Sequence, residues 1–169
     1  LSRLVDMQKS GELPTRITHN DTKINNVMLD EDTDDAVCVI DLDTTMPGLS
    51  AYDFGDSIRF GAATAAEDEK DISKVSIDLE LYATYIRGFL SACPELTEDE
   101  LMSLPWGART MTLECGLRFL TDYLDGDKYF RIAYPEHNLV RCRTQLRLVE
   151  CMEEHWDEMC AIVARLAGK

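Results

Sequence analysis

From Ser50 onward the apolar residues recur at intervals of three and four, and that period commits most of the chain to helices. Ser50 is a capping residue type and predicts a short helix over 51–60. Ile77, Leu81, Tyr82, Tyr85, Ile86, Phe89 and Leu90 predict an amphipathic helix ending near Pro94. Thr97 and Glu100 form a capping-box signature for the next helix. Leu113, Leu117, Leu120 and Leu124 mark another, closed by Gly126. Leu139, Cys142, Leu146, Val149, Met152, Trp156, Cys160 and Val163 predict the longest, about 43 Å from Leu139 to Ala167. These stripes, with Trp106 and Trp156, are expected to be core.

The first third has a different grain. Residues 1–10 read as the end of a helix, stopped by Gly11 and Pro14, and residues 15–18 are β-prone. Residues 25–29 and 36–40 predict two short strands joined by the polar turn 30–35, a β-hairpin. Asp30, Asp32 and Asp34 imitate the start of a calcium loop. The sixth position, however, is Asp35 where that loop needs Gly, and the flanks are β-prone, so a solvated turn is expected. The fold class is therefore α+β, mostly helical, in a single unit over 1–169.

Charge narrows the partners. Seventeen Lys and Arg against 32 Asp and Glu give a net charge of −15, which repels nucleic acid and anionic membrane. No apolar run approaches the roughly 18 residues that a membrane span needs. An anionic ligand would need a metal ion, a basic side chain or backbone N–H groups. The six cysteines contain no C-x-x-C pair, and buried thiols in a reducing, cytoplasmic compartment are expected. Cys151 and His155 could share a helix face, but two ligands without partners are a weak zinc signal. Arg141, Arg143 and Arg147 form a basic stripe expected to pair with the acidic body.

The sharpest chemical pattern lies at the hairpin. Asp21 and Asn26 sit on a polar loop before the first strand, and Asp41 ends the second. A hairpin brings its open ends together, so Asp41 returns beside Asn26 and Asp21. Two carboxylates and an amide oxygen suit a hard ion such as Mg²⁺. Lys23 can reach a phosphate gathered by that ion, and these are the parts that phosphoryl transfer needs.

His19-x-Asp21-x-Lys23-x-x-Asn26, then a hairpin, then Ile40-Asp41, resembles the catalytic segment of aminoglycoside phosphotransferase-like and choline kinase-like enzymes. It is also similar to the H-x-D-x-K-x-x-N loop of protein kinases. Met46-Pro47-Gly48-Leu49, the run from Tyr52 to Arg59, and His137-Asn138-Leu139 with Arg141 to Gln145 resemble N-acetylhexosamine 1-kinases more narrowly. The resemblance implies the C-terminal lobe of a protein-kinase-like fold, with ATP as co-substrate and Mg²⁺ as cofactor. It implies that Asp21 accepts the proton of an attacking hydroxyl, that Lys23 offsets phosphoryl charge, and that Asn26 and Asp41 hold Mg²⁺. Asp43 is a further metal carboxylate, and His19 braces the loop. Phe60, Arg118 and Tyr129 are expected to line an amino-sugar pocket.

Asp53-Phe54-Gly55 spells the metal-binding triplet of protein kinases, but it lies 32 residues after Asp21, beyond a Pro-Gly break. Asp41 lies 20 after Asp21, where the hairpin requires a ligand, so Asp53 is expected to start a helix or hydrogen-bond the loop. No G-x-G-x-x-G occurs, and too little chain precedes Asp21 for a nucleotide-covering lobe. The chain is thus expected to be a lobe cut from its N-terminal half and inactive alone. Rival expectations are another acceptor (choline, an aminoglycoside, homoserine) or a non-catalytic nucleotide-binding module.

Overall fold

The structure is a computed structural model and describes residues 2–168. Helix α1 (Arg3–Ser10) ends at Gly11, whose φ of 85° gives the left-handed cap. Strand β1 (Arg16–Thr18) follows, then a one-turn 3₁₀ helix (Ile24–Asn26) leading into β2 (Val27–Leu29), β3 (Ala36–Val39) and β4 (Met46–Gly48). The helical body comprises α2 (Ser50–Gly61), α3 (Leu79–Ala92), α4 (Glu98–Leu124), α5 (His137–Glu154) and α6 (Trp156–Leu166). The result is a mostly helical α+β unit with small antiparallel sheets, compatible with a kinase-like lobe.

The hairpin forms as the sequence predicts. Val27 pairs with Val39 and Met28 with Cys38, and a register shift before Leu29 pairs it with Ala36. Its turn is tied by Asp30, whose Oδ1 accepts the N–H groups of Asp32 and Thr33. The second sheet was not expected: β1 pairs antiparallel with β4, Ile17 opposite Pro47. Pro47 reads as a break in sequence, yet a proline is tolerated on an edge strand that needs no N–H from it.

Helices α2 and α4 cross with their backbones in contact. A Cβ on Gly55 would overlap the Gly107 carbonyl, and a Cβ on Gly107 would overlap that of Ala51. Around this crossing Phe54 and Ile58 of α2 join Tyr82 and Ile86 of α3, Leu104 and Ala108 of α4, Leu148 and Met152 of α5, and Met159 and Val163 of α6.

Several helical expectations need correction. Ser50 does not cap α2. Leu49 holds that position, and the Ser50 hydroxyl instead donates to buried Glu100 at 3.0 Å. Asp78 caps α3 by accepting the N–H groups of Glu80 and Leu81, so the helix starts at Leu79 and Ile77 bridges to Ala63. The Thr97–Glu100 capping box is present, but the helix it opens is continuous through Leu124 and is the longest of the described helices. Pro105 is accommodated inside it. The Leu113–Leu124 stripe is not its buried face. Leu117 and Leu124 are exposed, and Thr112, Cys115, Gly116, Phe119 and Asp122 are buried instead.

The long helix expected to Ala167 breaks at His155. The break lets α6 turn Met159, Ile162 and Val163 into the core shared with α3. Trp156 is half-buried edge-on against Trp106, their ring centroids 4.5 Å apart. Cys115, Cys142 and Cys151 are buried, whereas Cys93 and Cys160 are half-buried and Cys38 is exposed on β3. Cys151 donates towards the Val75 carbonyl, and no cluster of three His, Cys, Asp or Glu side chains suited to a metal occurs among the described residues. Arg147 pairs with Glu150 and Glu154, and Arg141 lies 3.7 Å from Glu67, as the basic stripe predicts; Arg143 is exposed.

Candidate active site

The loop from His19 to Asn26 is clamped from beneath by α2. Asp53, in the first turn of that helix, accepts the His19 N–H at 2.8 Å and the Asn20 N–H at 2.7 Å with its two carboxylate oxygens. The Asp53 carbonyl accepts the Thr22 hydroxyl, and Ser57 donates to the same carbonyl and to that of Thr22. Burial pushes the Asp53 carboxyl up despite those two backbone donors. Asp53 therefore lies in the first turn of α2 and also hydrogen-bonds the loop, the two roles open to it after the Pro-Gly break.

Asn20 adopts φ 64°, and Asp41 adopts φ 62°. Asp and Asn tolerate the left-handed region better than other side-chain-bearing residues. Asn20 is pinned there by its amide, which donates to the Thr44 carbonyl at 3.0 Å, while the Thr44 hydroxyl donates to the His19 carbonyl at 2.6 Å. Asn20, Thr22, Thr44 and Ser57 were not singled out in the sequence. Asn20 alone carried a readable signal, a turn-tolerant residue between His19 and Asp21.

His19 joins the loop to the hairpin's far strand. Its Nδ1 accepts the Asp21 N–H at 3.3 Å, which assigns the proton to Nε2, and Nε2 lies 3.0 Å from the Ile40 carbonyl. The Ile40 N–H in turn donates to the Asn26 carbonyl at 2.9 Å. The residue after Ile40 is Asp41, so one ring-to-carbonyl link and one backbone link hold its neighbour against the loop that carries Asp21 and Asn26.

The Asp21 carboxylate is held by its own neighbours. Lys23 Nζ stands 2.7 Å from its Oδ2, and the Asn26 amide donates to the same oxygen and to the Asp21 carbonyl, both at 2.8 Å. Burial opposes its charge, but the hydrogen bonds from Lys23 and Asn26 prevail and keep the carboxyl below its ordinary value. Asp21 is thus ionised and oriented at neutral pH. Asn26 is buried, whereas Asp41 and Asp43 are exposed.

The hairpin exposes apolar side chains on both of its faces: Val37 is 64% exposed, Val39 52%, Met28 52% and Leu29 49%. The expected sugar-pocket residues fall in two places. Phe60 lines a cavity between α2 and α5. Arg118 packs over Tyr129 at 5.7 Å, near the C-terminal end of α4, and lies 3.7 Å from Glu114.

The sequence model of the phosphotransferase enzyme family matches residues 1–94, which include the loop, both sheets, α2 and α3. The chain belongs to the phosphotransferase enzyme family. That membership makes it a kinase-like transferase, and it places the Asp21–Asn26 loop inside the matched region. No helix among the described residues is long and apolar enough to cross a membrane.

Proposed function

We propose that this phosphotransferase lobe moves the γ-phosphoryl group of ATP onto the anomeric hydroxyl of an N-acetylhexosamine. The observation that carries the reading is the Asp21 carboxylate, fixed by Lys23 and Asn26 and kept ionised. In this role Asp21 accepts a hydrogen bond from the acceptor hydroxyl, aims its oxygen at phosphorus and takes the proton as transfer completes. A low-pKa carboxylate suits the loose transition state of phosphoryl transfer, in which the proton leaves late. Lys23, beside Asp21, offsets charge on the transferred group. His19 keeps the loop and the Asp41 backbone together.

The donor set fits Mg²⁺. That ion binds through one or two carboxylates, with substrate phosphates and water completing its shell. Asn26 spends its amide N–H groups on Asp21 and so retains Oδ1 for an ion. Asp41, and secondarily Asp43, would supply carboxylates from the strand end. When bound, Mg²⁺ would neutralise the phosphate oxygens. Val27, Ala36 and Val39 of the hairpin line the pocket that holds Asp21 and Asn26, and offer an apolar wall for the flat base of a nucleotide.

The test joins the chain to its native upstream segment and follows ADP release with Mg-ATP and a panel of N-acetylglucosamine, N-acetylgalactosamine, choline, an aminoglycoside and homoserine. A sugar 1-phosphate whose formation falls on the order of 10²-fold or more in Asp21→Asn is expected. Asp41→Ala is expected to abolish Mg-dependent nucleotide binding. Transfer to another panel member would replace the sugar, and transfer that survives Asp21→Asn would remove the base.

A further inference from the structure

The cavity between α2, the segment after it and α5 measures about 260 Å³ and is lined by Arg59, Phe60, Ala65, Glu67, Gln145 and Leu148 among others. It is many times the ~15 Å³ that admits one water. Its charges cancel. Arg59 Nε stands 2.7 Å from Asp56 and its Nη1 3.0 Å from Glu67, while Arg141 faces Glu67 at 3.7 Å. Burial works against the Arg59 charge, but Asp56 and Glu67 help to hold the guanidinium protonated. The Thr144 hydroxyl is occupied by the Glu69 and Val140 carbonyls.

One group on the wall is unmatched. Gln145 is 2% exposed, and its Oε1 has no hydrogen-bond partner. A buried carbonyl left without a donor costs about 1–3 kcal/mol, so such groups are normally satisfied. The cavity meets α2 about one turn beyond that helix's contact with the loop. Phe60 follows Ser57 by three residues, about 4.5 Å along α2, and Ser57 bonds the Thr22 carbonyl.

Resting on the kinase reading above, we infer that this cavity is the specificity end of the acceptor site. It takes a neutral N–H or O–H donor set beside a small apolar group, such as an acetamido substituent, with Gln145 Oε1 accepting the donor. The wall has no unpaired carboxylate to attract an ammonium group, since Glu67 is already held by Arg59. A polycationic acceptor is therefore disfavoured here despite the chain's net charge of −15.

The test is ligand-observed NMR on the 169-residue chain without nucleotide, so that it reads binding alone. The probes are N-acetylglucosamine and glucosamine at slightly acid pH, where the second is cationic. N-acetylglucosamine is expected to bind in preference. Gln145→Leu is expected to weaken it about tenfold, and Gln145→Glu to shift preference toward glucosamine. Ala65→Leu fills the cavity and should also weaken binding, which covers the case of a Gln145→Leu protein that does not fold. Equal binding of the two sugars, binding of neither, or N-acetylglucosamine affinity unmoved by the folded variants overturns the inference. Selective binding without phosphoryl transfer in the rejoined protein overturns the kinase reading instead.

Discussion

Asp53→Asn separates a loop brace from a metal ligand. The native carboxylate accepts two backbone N–H groups, from His19 at 2.8 Å and Asn20 at 2.7 Å. Hydrogen bonds to a charged acceptor contribute about 1.5–3 kcal/mol each. Asparagine can accept only one of them, as a neutral bond of about 1 kcal/mol, and turns its NH₂ toward the other donor. Removing a carboxylate that burial disfavours returns part of the loss, since the Asp53 carboxyl is pushed above 3.8. The net expectation is about 2 kcal/mol of destabilisation, a fall in Tm of about 4–8 °C for a chain of this size. Thermal unfolding by circular dichroism reads the total, and amide hydrogen exchange reads the cause: the His19 and Asn20 amides should lose protection before the α2 amides do. Mg-dependent nucleotide affinity in the rejoined protein should change less than in Asp41→Ala. An unchanged Tm with both amides still protected would refute the brace. A larger loss of Mg-nucleotide affinity in Asp53→Asn than in Asp41→Ala would make Asp53 the metal ligand.

Three further outcomes follow from the packing and charges. Gly107→Ala forces a methyl into the Ala51 carbonyl across the α2–α4 crossing and should cost about 1–3 kcal/mol, read as a lower Tm. Thr97→Ala removes the side-chain half of the capping box on α4 and should cost about 1 kcal/mol in a denaturant titration. Asp21 and Glu100 are both held below their ordinary values of 3.8 and 4.5, in each case by hydrogen bonds that prevail over burial. For a depressed carboxyl the stabilisation is present above the unfolded value and is lost as pH falls through the folded one. Stability should therefore drop below about pH 4.5, and Glu100→Gln should flatten that acid limb in pH-dependent unfolding.

Much of the local structure was legible because it rests on short-range chemistry. The hairpin follows from two β-prone runs around a polar turn, the α4 start from Thr97 and Glu100, and the end of α1 from Gly11. The Asp21, Lys23 and Asn26 constellation spans six residues, so spacing alone nearly fixes its geometry. The position of Asp53 relative to the hairpin end left two roles open, starting a helix or bonding the loop, and it does both.

Other features depended on partners distant in sequence. Ser50 is a capping residue type, but Glu100, fifty residues on, claims its hydroxyl. Pro47 looks like punctuation until β1 lies beside it. The periodic leucines of α4 mark a helix without marking its buried face, because the close crossing at Gly55 and Gly107 decides which side meets α2. The apolar stripe from Leu139 onward does not announce the break at His155, since the same period serves one helix or two. By itself the sequence determined the hairpin, the start of α4, the end of α1 and the placing of Asp21, Lys23 and Asn26 on one short loop, which are set by neighbours within a few residues. The tertiary structure alone decided how the helices cross, which polar groups satisfy one another and that the Gln145 carbonyl is left without a donor, because burial exists only once distant segments meet.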